Sequence, residues 1–179
     1  AERLHIPLNR WKRWSREFLP PDPLGGLQSG FARQYSLRDA FTVYLAGYLV
    51  SETGFSIPET RKILEDMNGW LKKNLVAGHE SVTGGDVPDG ERGGRIELLI
   101  LPVSGNGRPA FSYRIRRQVE RRLLSAGDVT LWQERYTEEV LKPAAERGGD
   151  GYPACARRVA LSVLFAQFCD RLASPCKAP

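Results

Sequence analysis

Leu8-Asn9-Arg10-Trp11-Lys12-Arg13-Trp14-Ser15-Arg16-Glu17-Phe18 decides how the rest of this chain is read. At about 100° per residue, a helix over this run stacks Trp11, Trp14 and Phe18 on one narrow stripe and sets Asn9, Lys12, Arg13 and Arg16 on the opposite arc. One face is built for burial and the other for meeting anions. Before it, residues 1–5 read as the end of a first helix, and Ile6-Pro7 marks a tight turn. The run opens at Pro7 or Leu8, where a missing amide is harmless, and closes before Pro20-Pro21, which cannot continue a helix.

Residues 19–30 hold three prolines and three glycines, so a continuous helix is excluded there. Phe31-Ala32-Arg33-Gln34-Tyr35 then alternates large with small or polar side chains as a short strand does. A hairpin wing over residues 19–35 is the economical reading. Ser36 with Asp39, and Ser56 with Glu59 and Pro58, resemble capping boxes that start two further helices. Leu37, Phe41, Tyr44, Leu45, Tyr48 and Leu49 line one side of the first; Ile63, Leu64, Met67, Trp70 and Leu71 line the second. Gly54 stands where a left-handed residue ends the first of them. These stripes have core spacing, not the pattern of a cofactor box.

The chain of 179 residues carries a formal charge of +5 and 41% apolar residues, enough for one large or two small cores and compatible with an anionic partner. No apolar run approaches the roughly 20 residues that cross a bilayer, and no signal-type pattern opens the sequence. A cytoplasmic protein without membrane contact is therefore expected. The start at Ala1, without Met and already in helical register, fits a sequence preceded by a few further residues. Cys155, Cys169 and Cys176 match no zinc spacing, and only His5 and His79 could assist them, so free thiols and neither metal nor cofactor are expected.

Residues 77–95 lack periodicity and are loaded with glycine, as a flexible linker is. Their Gly-Gly pairs are not followed by Gly-Lys-Ser/Thr, so they make no phosphate loop. Beyond them, Ile96 to Leu101 reads as a buried strand and Ala110 to Arg116 as its partner, with Phe111, Tyr113 and Ile115 on one face and Arg114 and Arg116 on the other. Arg108, Arg117, Arg121 and Arg122 extend a second basic patch. Asp128 is placed to cap a helix along Val129, Trp132, Tyr136 and Val140, and a last helix over residues 153–173 carries Val159, Leu161, Val163, Leu164, Phe165, Phe168 and Leu172. Its wide apolar surface suits a domain core or a homodimer contact.

With these elements in order, residues 1–75 resemble the MerR family of winged helix-turn-helix transcription regulators. Arg13-Trp14-Ser15 stands where that family has an Arg-aromatic-aromatic element in its recognition helix. Gly30-Phe31-Ala32-Arg33-Gln34-Tyr35-Ser36 stands at the end of its wing, and Gly54-Phe55-Ser56-Ile57 at its helix junction. Ser15 replaces an aromatic, Ala32 adds a residue to the wing motif, and the family's long dimerising helix and metal-sensing cysteines are missing. The resemblance implies sequence-specific binding of double-stranded DNA, with helix 8–18 in the major groove and wing 19–35, including Tyr35, on the backbone.

The expected fold is thus mainly α: a winged helix-turn-helix over residues 1–76, the linker 77–95, and a small α+β domain over 96–179 with a β-hairpin and two or more helices. Asn9 and Arg10, near the helix start, suit base edges; Lys12, Arg13, Arg16 and Arg33 suit phosphates. A competing reading is an adaptor whose basic face binds an acidic protein. An enzyme is disfavoured, because the one acidic loop cluster, Asp86, Asp89 and Glu91, sits in the linker and no Ser/His/Asp arrangement exists. The C-terminal domain is a candidate for a small-molecule effector, with Phe111, Trp132 and Tyr136 as pocket walls, or for a protein partner.

Overall fold

The tryptophan-arginine run forms helix α1, Leu8–Phe18, entered from Pro7 and left at Leu19, whose extended backbone ends it. A single 3-10 turn, Glu2–Leu4, precedes it, and His5 reverses the chain in the left-handed region at φ 55°. The computed structural model describes residues 1–22, 33–76, 95–103, 110–126, 129–141 and 155–174. They divide into two units, Ala1–Gly84 with Phe165–Pro179, and Gly85–Leu164.

In the first unit, α2 spans Leu37–Ser51 and α3 spans Ile57–Leu71. The Ser36 hydroxyl accepts the Asp39 amide at 3.1 Å. At α3 the capping box is complete, with Ser56 Oγ accepting from the Glu59 amide and Glu59 Oε2 from the Ser56 amide. Gly54, at φ 72°, turns the chain so that the Phe55 amide reaches the Leu49 carbonyl at 3.0 Å and its ring is buried. Leu4, Trp11, Trp14, Phe41, Leu45, Leu49, Ile63, Met67 and Trp70 fill the interior. Trp14 lies so close to α2 that a Cβ on Gly47 would stand 2.2 Å from its ring.

The last helix, α4, covers Leu161–Ala173, and the boundary between the units falls within it. From Phe165 onward it completes the first unit. Phe165 and Phe168 meet Phe41 edge-on at 4.9 and 5.3 Å. Arg171 donates to the Leu4 carbonyl and Arg3 to the Leu172 carbonyl, so each end of this unit's chain caps the other.

The second unit is an antiparallel sheet in the order β3-β2-β1-β4, with β1 Ile96–Val103, β2 Ala110–Ala126, β3 Val129–Leu141 and β4 Arg157–Ala160. Leu98 pairs with Ile115 and Val159, and Ile100 with Tyr113, which makes one buried apolar face. β1 ends its pairing with β2 at Ile96–Arg117; β2 and β3 continue together to Ala126–Val129.

The expectation of a mainly α chain is therefore corrected to α+β: four strands form one sheet, and two of them are 17 and 13 residues long. The helix expected from Asp128 is β3. Val129, Trp132, Tyr136 and Val140 mimic helical spacing, but six of the thirteen residues are β-branched or aromatic, and long cross-strand pairing with β2 outweighs the weak amphipathicity of the segment. The helix expected over 153–173 is shorter, since residues 157–160 pair with β1. The expected wing falls largely on residues 23–32, outside the described residues, and its flanks at 19–22 and 33–36 lie in neither helix nor strand. The linker 77–95 is outside them too, except Arg95.

Replacing a helical glycine by alanine ordinarily gains about 0.5–1 kcal/mol. Gly47→Ala should instead destabilise by about 1–3 kcal/mol, because the indole of Trp14 occupies the space and would have to move. Chemical denaturation of the two proteins measures the sign.

Candidate nucleic-acid interface

The buried side of α1 is fixed by Trp11, Trp14 and Ser15. Ser15 is the polar member of that side, and it is satisfied: its hydroxyl donates to the Trp11 carbonyl at 2.8 Å and accepts from the Tyr35 phenol at 3.0 Å. Tyr35 also meets the Trp11 ring edge-on at 5.5 Å. These contacts fasten the segment preceding α2 to the flank of α1. Tyr35, expected on the DNA, is bonded to Ser15, which the sequence marked only as replacing an aromatic. The available signal was a small hydroxyl directly after Trp14 on the apolar arc, four residues after Trp11.

Asn9, Lys12, Arg13 and Arg16 share the exposed face of α1, as the helical spacing requires. Arg10 is exposed as well, but stands about 100° round the helix from Asn9. Asn9 Oδ1 accepts the Arg10 amide at 2.8 Å, so the two residues do not present a common edge. Glu17, the one acid of α1, pairs with Arg61 of α3 at 2.9 Å.

Arg33 is placed at the C-terminal end of this face. Its guanidinium donates to the Pro20 carbonyl at 2.9 Å and lies over the Tyr35 ring at 5.6 Å. Lys12, Arg16, Arg33 and Tyr35 thereby line one open groove of about 670 Å³, floored by Ser15, Leu19, Pro20 and Pro21 and bordered by Asp22. Among the described residues, none of Arg10, Lys12, Arg13, Arg16 and Arg33 forms an ion pair. Three cations converging on one concavity repel one another, and an anion bound there relieves that repulsion.

The second basic patch differs. Arg114 and Arg116 both pair with Glu138, Arg121 with Glu134, and Arg122 with Glu120. On the neighbouring strands Arg95 and Arg158 flank the buried carboxylate of Glu97 at 3.0 and 3.8 Å. These arginines are each engaged by a glutamate, but Glu138, Glu120 and Glu97 each serve two of them, so the sheet differs from α1 in holding its guanidiniums in ion pairs and not in lacking positive charge. The three residues expected to wall an effector pocket do not meet: Phe111 pairs with Pro102 and Trp132 with Leu123, roughly 40 Å apart along β2. Cys155 is exposed and Cys169 half-buried, both unpaired by disulfide; burial pushes the Cys169 thiol up. Cys176, Asp86, Asp89 and Glu91 lie outside the described residues. Among the described residues no group of three His, Cys, Asp or Glu side chains is placed to hold a metal ion, and no helix is long and apolar enough to cross a membrane.

Comparison with models of protein families, with curated proteins and with solved structures gives no match to this chain.

The pairing on the sheet has a pH signature. Hydrogen bonding to Arg116, with the Arg114 charge beside it, holds the Glu138 carboxyl below the usual range. Its contribution to stability is full above the unfolded-state carboxylate value and disappears as pH falls through the lowered folded-state value. Both partners are partly exposed, so Glu138→Gln should cost no more than about 1 kcal/mol at neutral pH. The gap between variant and parent should close in acid; denaturant melts across that range measure it.

Proposed function

We propose that this protein is a sequence-specific double-stranded DNA-binding transcription regulator, acting in the cytoplasm, whose recognition element is α1. The observation that carries the reading is the contrast in charge pairing. Among the described residues the cations of α1 and Arg33 form no ion pair, and exposed Lys12, Arg13 and Arg16 share one side with half-buried Arg33 beside them, whereas Arg114, Arg116, Arg121 and Arg122 of the sheet are held by glutamates. The resemblance of residues 1–75 to MerR-type regulators points the same way, as does the turn before α1.

In this reading the exposed face of α1 enters the major groove. Asn9 and Arg13 reach base edges or the backbone beside them, Arg10 takes a flanking phosphate, and Lys12, Arg16 and Arg33 clamp one phosphate in their shared groove. Tyr35 holds Arg33 in place through its stacked ring and its bond to Ser15. Catalysis has no part in it. The sheet unit is the proposed site for an effector or protein partner, with no pocket assigned.

Fluorescence anisotropy on a pool of random duplexes tests this. Neutralising four or five phosphates predicts that log K falls against log salt with a slope of roughly −4. Arg13→Ala and Arg33→Ala should each weaken binding about tenfold or more, and Arg116→Ala should leave it unchanged. Absence of retention at low salt sinks the proposal. Equal binding of polyglutamate by the same face favours the adaptor reading instead, in which an acidic protein segment occupies the groove.

A further inference from the structure

Among the described residues no third strand lies beside β2 and β3 beyond Gln118, whose amide donates to the Arg95 carbonyl, because β1 ends its pairing at Arg117. Seven residue pairs, from Glu120–Arg135 to Ala126–Val129, form a two-stranded arm roughly 24 Å long. The arm is apolar where it is least covered. Leu123, Leu124, Val129, Leu131 and Trp132 each keep between 48% and 63% of their surface exposed. Leu124 pairs with Leu131, and Val129 neighbours them on the same face; Leu123 and Trp132 form the matching pair on the other. A lone two-stranded ribbon is marginal in water, and a contiguous exposed apolar patch is a mark of association.

We propose that this arm is a homodimerisation device, in which its apolar tip docks on the same tip of a second copy of the chain about a two-fold axis. Charge selects that occupant. The described strand residues between Leu123 and Trp132 are all uncharged, so a partner with a strongly charged face gains nothing from them. The flanks carry both signs, Glu120 and Glu134 beside Arg121, Arg122 and Arg135, and a surface of mixed sign is complementary to a rotated copy of itself. Three arginines against two glutamates leave an excess of a single positive charge, too small to draw the arm to an anionic lipid surface by charge. Two arms laid together bury on the order of 1,000 Å², which reaches the size of a specific association. The inference stands on the arm alone and does not require DNA binding. It replaces the last helix as the dimer contact expected from sequence, since Leu161, Leu164 and Phe168 of α4 are buried within the chain.

Sedimentation velocity of the full chain over a concentration series tests the proposal. The parent should sediment at twice the chain mass of 20.0 kDa. The double variant Leu124→Glu, Leu131→Glu should be monomeric, with dimerisation weakened at least about 100-fold because each copy loses two central anchors. Should the glutamates unfold the arm, seen as lost strand signal in circular dichroism, Leu124→Thr with Leu131→Thr keeps strand-forming residues and should still yield monomer. A monomeric parent at the highest concentration, or a dimer that survives a folded variant, overturns the proposal. Pelleting of a monomeric parent with phosphatidylcholine vesicles would do so too, by giving the tip to a lipid surface.

Discussion

The first unit depends on the seating of Trp14 on Gly47. The Trp14 indole lies directly against the α2 backbone at Gly47, where any side chain would collide with it, and this contact together with the burial of Trp11 sets the rotation of α1 about its axis. That rotation buries Trp11 and Ser15 beside Trp14 and turns Asn9, Lys12, Arg13 and Arg16 outward. The direction of the cationic face is thus a consequence of apolar packing. Charge alone would spread these side chains evenly; the tryptophans prevent it.

The same frame fixes Arg33. Its position relies on a short relay in which Tyr35 donates to Ser15 and Ser15 to the Trp11 carbonyl, with the Tyr35 ring serving as a platform for the guanidinium. A cation brought from 17 residues after Arg16 in the chain joins the groove of α1 by way of buried polar groups that are all satisfied. On the sheet the guanidiniums are held instead: Arg116 and Arg121 of β2 stand opposite Glu138 and Glu134 of β3, and Arg114 reaches across to share Glu138. Two segments equally rich in arginine therefore differ in what they offer to solvent, and the difference arises in the pairing of the strands.

Local chemistry made much of the first unit legible. The bounds of α1, the serine starts of α2 and α3, and the left-handed Gly54 follow from proline, capping and glycine rules that act over a few residues. The partnership of β1 with β2 was readable too, and alternation placed Phe111, Tyr113 and Ile115 on one face. What could not be read depends on contacts between distant parts. Segment 129–141 has a helix-like stripe of four residues, and only the 13-residue pairing with β2 makes it a strand. The last helix completes the first unit through Phe165 and Phe168 against Phe41, more than 120 residues away in sequence, which no local signal encodes. In the candidate site the cations were legible as residues; Asn9 and Arg10, grouped because both stand near the helix start, lie about 100° apart round α1. Tyr35 carried the motif without its structural duty being visible.

Hydrogen exchange with and without duplex DNA probes the central claim, that the outward face of α1 together with Arg33 is the surface that meets nucleic acid. Bound DNA should slow exchange in residues 8–22 and 33–36 and leave residues 110–117 of β2 unchanged. Protection that grows on β2 while α1 stays as it was would contradict the account.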